Sequence, residues 1–310
     1  MPFSRITPLT HGESQTLKYS YPGEFGRGIF VAICTEFALL VAVSHFNVTN
    51  PTIIWLLAAA PFFGMLAAVF GATQASQHRK KTIILAIELL SRAMAFAAAF
   101  TPNGLAFAVI MGGAIAGESM MTPLVSGIYG ENFDKVIRGR AVGRLQAIRV
   151  ATRATFAGLA GAILSYDTAM FRYILIGVSI VSGVCAFFAY QLPEERPAVR
   201  KSRADLLRDV FSVLRHDRAY LYLQFVWFII GFCNLWLMPL RVLSLVEAGF
   251  DDFHVMIATA VILNGAQVFM LRFWGNILYR INFAVYRMLV GLCFIVGMPI
   301  FFYSHTFPAI

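Results

Sequence analysis

Nineteen of the 25 lysines and arginines in this chain lie in every second polar gap between long apolar stretches, and the gaps between them hold none. The basic gaps carry Arg5, Lys18 and Arg27; Arg79, Lys80 and Lys81; Lys135, Arg138, Arg140 and Arg144; the run from Arg196 to Arg218; and Arg280 with Arg287. The gaps near His45–Pro51, Thr101–Gly104, Tyr166–Ala169, Glu247–Asp252 and Tyr303–Ile310 contain no Lys or Arg. Chains that cross a bilayer repeatedly keep Lys and Arg in their short cytosolic loops. The alternation therefore predicts a polytopic membrane protein with a cytosolic N-terminus, placed in the plasma membrane (the inner membrane of a bacterial cell). It also explains the net charge of +9, which in a soluble chain would point to nucleic acid. The expected partner is the lipid bilayer, not nucleic acid.

A span needs about 20 mainly apolar residues to cross a hydrocarbon core of about 30 Å. Nine stretches qualify, near 28–46, 52–72, 82–101, 104–128, 143–166, 170–191, 219–246, 254–275 and 285–304. The fifth contains Arg149 and Arg153, yet removing it would reverse the side of every later loop. Very short neutral gaps predict that consecutive spans pack as antiparallel hairpins. The chain then divides into a cytosolic segment (1–27), a six-span bundle (28–191), a basic linker (192–218) and three further spans (219–310). Pro193 and Pro197 open the linker and block helix continuation. After them Leu206, Leu207, Val210, Phe211 and Leu214 fall at helical spacing opposite Arg203, Arg208 and Arg215, the pattern of an amphipathic surface helix. Cys34, Cys185, Cys233 and Cys293 lie far apart inside apolar stretches, so no metal site and no cofactor is expected. Gly113 and Gly117, four apart, predict close helix packing.

Six spans, a long basic loop and then more spans resembles the layout of the major facilitator superfamily. That family carries, between spans two and three, a Gly, an Asp-Arg pair, a second Gly and a terminal basic cluster. Here Gly71, Arg79, Lys80 and Lys81 match at the right spacing, while Ala75, Ser76 and His78 stand at the Asp, Arg and second Gly positions. The repeat of the motif keeps Gly275 and Arg280. Arg138, Gly139, Arg140 and Arg144 before span five, and Pro193, Glu194 and Glu195 after span six, are also similar to the family's loops. Its fourth-span arginine and its fifth-span Gly-Pro pair are absent. The resemblance implies an all-α, major-facilitator-type bundle, with a complete six-span half and three spans of the second half. Since the family has twelve spans, it also implies a C-terminally truncated member. The implied activity is secondary transport of a small solute by alternating access, not enzymatic catalysis, with the Gly71–Lys81 and Gly275–Arg280 motifs as a cytosolic gate. Restoring the family's Asp by Ala75→Asp is expected to shift the conformational balance. Cysteine accessibility on the two faces measures this, and unchanged labelling on both counts against the gate.

Charges near mid-bilayer cost about 2.5–3.5 kcal/mol each on insertion scales, so each needs a reason. Glu36 lies about 12 Å into span one at 1.5 Å per residue; Glu118 is mid-span in span four, and Arg149 and Arg153 are one turn apart in span five. The family resemblance places spans one, four and five around a central cavity. Arginines there suit an anionic solute through forked contacts, and carboxylates suit a coupling proton. The structural alternative pairs Glu118 with Arg149 or Arg153. Glu88 and Arg92, at i,i+4 on span three, suit a structural ion pair, whereas Arg172 and Arg241 near span ends can snorkel to the surface. Two further readings compete. Asp205 and Asp209 resemble half of the metal-diphosphate motif of an intramembrane prenyltransferase-like enzyme, and the chain length also suits a ten-span drug/metabolite-type transporter.

Overall fold

Thr10 and Glu13 form a reciprocal cap: the Thr10 hydroxyl accepts from the Glu13 amide at 3.3 Å, and the Glu13 carboxylate accepts from the Thr10 amide at 2.8 Å. That box starts α1 (His11–Cys34), so the first membrane helix begins well before residue 28, where the hydropathy pattern puts it. The computed structural model describes residues 10–77, 79–193, 208, 212, 215–278 and 282–303, and every regular element among them is helical. After Thr35 the helix resumes as α2 (Glu36–Ser44). Then come α3 (Pro51–Gln77), α4 (Lys80–Ala98), α5 (Gly104–Asn132) and α6 (Lys135–Leu164). A single tight turn at Thr168–Met170 leads into α7 (Phe171–Ala189). The second part holds α8 (Arg218–Glu247), α9 (Asp252–Met256), a wider π-turn at Ile257–Val261, α10 (Ile262–Leu278) and α11 (Phe283–Tyr303). Most of the linker helix expected over 202–214, with Asp205 and Asp209, lies outside the described residues, as does Arg280.

Seven of the described helical stretches are long and apolar enough to cross a membrane. The expected third and ninth spans, α4 and α11, are not among them; α4 carries Lys80, Lys81, Glu88 and Arg92 in 19 residues, with Glu88 and Arg92 buried beside Ile84, Ser91, Ala95 and Ala98. Of the expected hairpins, that of α4 with α5 is extensive, and those of α2 with α3 and of α6 with α7 are minor. Helix α1 packs against α6 and α7, α3 and α4 both pack on α5, and α4 also meets α7, while α6 and α7 touch little. Glycines make the non-consecutive approaches of α1 to α6 and of α3 to α5 possible. A Cβ on Gly28 would stand 2.6 Å from the Arg149 carbonyl oxygen, and one on Gly64 would stand 2.1 Å from that of Ala116. Backbones that close exclude any larger side chain.

One face of the bundle carries the basic clusters Arg79–Lys81 and Lys135–Arg144; the opposite face carries the neutral loops. At the neutral face the two parts of the chain interlock. There α6 packs on α9, the π-turn and α10, and α2 and α3 meet α8. Val242, Leu245, Val255 and Met256 join one apolar core with Phe37, Leu40, Ala160 and Phe171, and Ser44 donates to Asp252 at 2.8 Å. At the basic face the described bonds stay within the first part. Lys80 pairs with Glu131, Asn132 donates to the Pro193 carbonyl at 2.8 Å, and Glu13 accepts from the Asp134 amide at 3.1 Å. Over the same depth α8 is exposed along most of Arg218–Trp236 and buries Pro239, Arg241, Val242 and Leu245 nearer the neutral face.

Candidate functional site

Three glutamates and three arginines meet inside the first bundle. Arg27 is the hub: it donates to Glu118 at 2.9 Å and to Glu24 at 3.4 Å, and it approaches Glu88 at 3.9 Å. Arg92 bridges Glu118 at 3.2 Å and Glu88 at 3.7 Å, and its guanidinium lies 4.2 Å from the centre of the Phe30 ring. Arg149 reaches Glu24 at 3.6 Å, and Tyr129 donates to Glu24 at 2.8 Å. Arg27, Glu24, Glu88 and Arg92 are each at most 4% exposed. Buried arginines and carboxylates hold together when each charge is matched, and the cluster has equal numbers of each sign, with Glu88 held by ion-pair contacts alone.

A second group lies one helical turn from Arg149. Arg153 donates to Glu36 at 2.9 Å and to the Thr35 hydroxyl at 2.8 Å, and Thr35 also donates to Glu36. This is the point where α1 and α2 part, with Thr35 at φ −113° and ψ −102°. Backbone released from a helix at membrane depth is tolerated where it lines a cavity, and here it does. Thr35, Glu118, Arg149 and Arg153 border a cavity of about 280 Å³ with Pro61, Ile115 and, from the second part of the chain, Gln267. Thr122, Gln146 and Arg149 also border a neighbouring cavity of about 540 Å³ that reaches Lys135 and Arg138 at the basic face. The two cavities share Thr122, Gln146 and Arg149 and extend from the basic face to Arg153, behind which Glu36 is buried among packed apolar residues.

The structure brings Glu36 and Arg153 together, and separately Glu88, Arg92 and Glu118. The pairing of Glu118 with Arg149 or Arg153, weighed from sequence, is replaced by pairs with Arg27 and Arg92, whose guanidiniums face it from α1 and α4. Arg241 does not snorkel: it is buried on α8, 8% exposed. Gly71 is buried against Met120, which a Cβ there would meet at 2.8 Å. Arg79 is exposed just before α4, Lys80 pairs with Glu131, and Lys81 stands 5.2 Å from the centre of the Tyr190 ring. Gly275 lies within α10. Glu24, Arg27, Thr35 and Tyr129 were missed, Glu24 and Arg27 because residues up to Arg27 read as a cytosolic segment. The capping box from Thr10 to Glu13 is the signal that would have extended the helix back to those two.

A family model, Major Facilitator Superfamily, matches residues 27–310. No curated protein matches the chain.

Proposed function

The chain belongs to the Major Facilitator Superfamily, and on that premise we propose that it carries a small solute by alternating access, through the cavity at Thr35, Arg149 and Arg153, with Glu36 bound behind Arg153. Family membership makes it a multi-pass secondary transporter in general; the solute path is the further step. One observation supports it above others: the polar cavities open toward the basic face, while the two parts of the chain are packed together at the neutral face. With Lys and Arg held in the cytosol, this is an inward-facing arrangement, sealed on the outside by the Ser44–Asp252 bond and the apolar core around it. Bundles of this kind rock about a midplane site, so opening outward means separating α2 and α6 from α8 and α9. Arg149 and Arg153 are assigned to the solute, and Gly71, Arg79, Lys80, Lys81, Gly275 and Arg280 to the cytosolic closure. Glu88 and Arg92 are assigned to holding α4 in place.

Glu118 is assigned the coupling proton. It borders the cavity, and both of its arginines have other carboxylates at hand: Glu24 and Glu88 for Arg27, Glu88 for Arg92. Neutralising Glu118 would therefore loosen the cluster while leaving each arginine a carboxylate neighbour. A single cysteine at Gln146, in a chain freed of native cysteines, tests the reading in liposomes. An impermeant thiol reagent is expected to reach it from the basic face, and from the neutral face in a fraction of molecules that changes with pH. Glu118→Gln should abolish the pH effect. Labelling from one face only, under every condition, counts against alternating access, and unaltered pH dependence in Glu118→Gln removes that residue from coupling.

A further inference from the structure

Among the described residues Arg241 is a buried cation with no counter-ion of its own. It projects from α8 of the second part of the chain and is 8% exposed, and its Nε has no hydrogen-bond partner. It lies within electrostatic reach of Glu36 and Arg153, yet among the described residues it forms no ion pair, and Glu36 is bound to Arg153 at 2.9 Å. A guanidinium keeps its charge at any physiological pH, so the imbalance cannot be relieved by losing a proton. Among the described charges within the spans the rest balance: Glu24, Glu88 and Glu118 against Arg27, Arg92 and Arg149, and Glu36 against Arg153. One positive charge is left over.

Arg153 is the member of this group that faces the cavity of about 280 Å³, with its own Nε unpaired. A carboxylate entering that cavity would compete with Glu36 for the same guanidinium fork. We propose that the transported solute is a small organic monoanion that takes Arg153 from Glu36, and that the released Glu36 moves onto Arg241. The exchange leaves every buried charge paired, the solute with Arg153 and Glu36 with Arg241. A dianion would overshoot the single missing charge. Val31, Pro61, Ile115 and Val150 in the cavity wall favour a carboxylate on a small apolar body over a bare inorganic ion. The new pair joins α2 to α8, so the anion stabilises one relation of the two parts over another, as any ligand must if it is to shift a conformational equilibrium.

This inference rests on the cavity being the solute site, and its test separates the two ideas. The thiol-labelling experiment above uses no anion, so it responds to alternating access alone. Here the purified full chain is melted in detergent with sodium benzoate, butyrate, phthalate or nitrate, or with neutral benzamide. Benzoate or butyrate should raise the melting temperature beyond the other three probes, and Arg153→Gln should remove the effect. Without probe, Arg241→Gln should melt above the parent chain, because an unmatched buried charge has gone. Its affinity for the effective monocarboxylate should fall by about tenfold or more, the scale of a lost buried charge partner. Adding Glu36→Gln to Arg241→Gln should restore that affinity, since Arg153 is then free. Equal stabilisation by benzoate and benzamide, a best response to nitrate or phthalate, or no response to any probe overturns the monoanion. A lower melting temperature for Arg241→Gln, with no recovery in the double variant, overturns the exchange and makes Arg241 a structural residue.

Discussion

Arg27→Gln is expected to lower stability by about 3–5 kcal/mol, the range for removing one partner of a buried ion pair. Glu24, Glu88 and Glu118 would then share Arg92 and Arg149 alone. Arg92 touches Glu88 and Glu118, and Arg149 touches Glu24, so the cluster would hold one unmatched negative charge. Gln fills much of the same space, and the loss is therefore chiefly electrostatic. Thermal melting of the solubilised protein measures it, with Arg27→Gln/Glu118→Gln as the control. The double variant restores neutrality and should regain a large part of the difference. If single and double variants melt alike, the charge balance is not what holds the cluster.

Gly64→Leu should be nearly as damaging, for a reason unrelated to charge. Even a Cβ at Gly64 would lie 2.1 Å from the Ala116 carbonyl oxygen and 2.7 Å from the Ser119 Cβ. The first obstacle is helix backbone, which cannot rotate aside, so α3 and α5 must move apart. Overpacking a close-fitting interior costs about 1–3 kcal/mol and occasionally more, and the upper end is expected here. Gly113 makes the comparison. Its nearest neighbour is the Cε of Met94, at 2.0 Å from a built Cβ, and a flexible methionine tip can swing away. Gly64→Ala should therefore lower the melting temperature more than Gly113→Ala. Equal losses would show that backbone contact at Gly64 is not limiting.

The membrane class and the family layout were legible because both rest on signals that sum over many residues, apolar length and loop charge. Individual membrane charges were legible too, since Glu36, Glu118, Arg149 and Arg153 stand out against apolar neighbours. Their partners were not. Glu118 meets Arg27 from a helix 91 residues away in the chain, and nothing local encodes that meeting. Arg27 was assigned to a loop because a charge-rich stretch with Pro22 looks solvated. A helix whose polar residues face other polar residues inside a protein has the same composition. The break at Thr35 has no Gly or Pro to announce it. It shows only once Arg153 and Glu36 are seen to meet at the hydroxyl of Thr35.

That break has a mechanical meaning. Below it, α1 is anchored in its own bundle through α6, α7 and the arginine–glutamate cluster; beyond it, α2 leans on α8 and α9 of the other part. The nine residues of α2 make a lever of roughly 13 Å at 1.5 Å rise per residue. Its pivot is Thr35, the residue that Arg153 grips. A tilt of about ten degrees there carries the far end roughly 2 Å, from the same helix length, which is enough to break the 2.8 Å bond from Ser44 to Asp252. On the proposed cycle, a small rearrangement of ion pairs at the fulcrum would become, at the tip, the difference between a closed and an open seal.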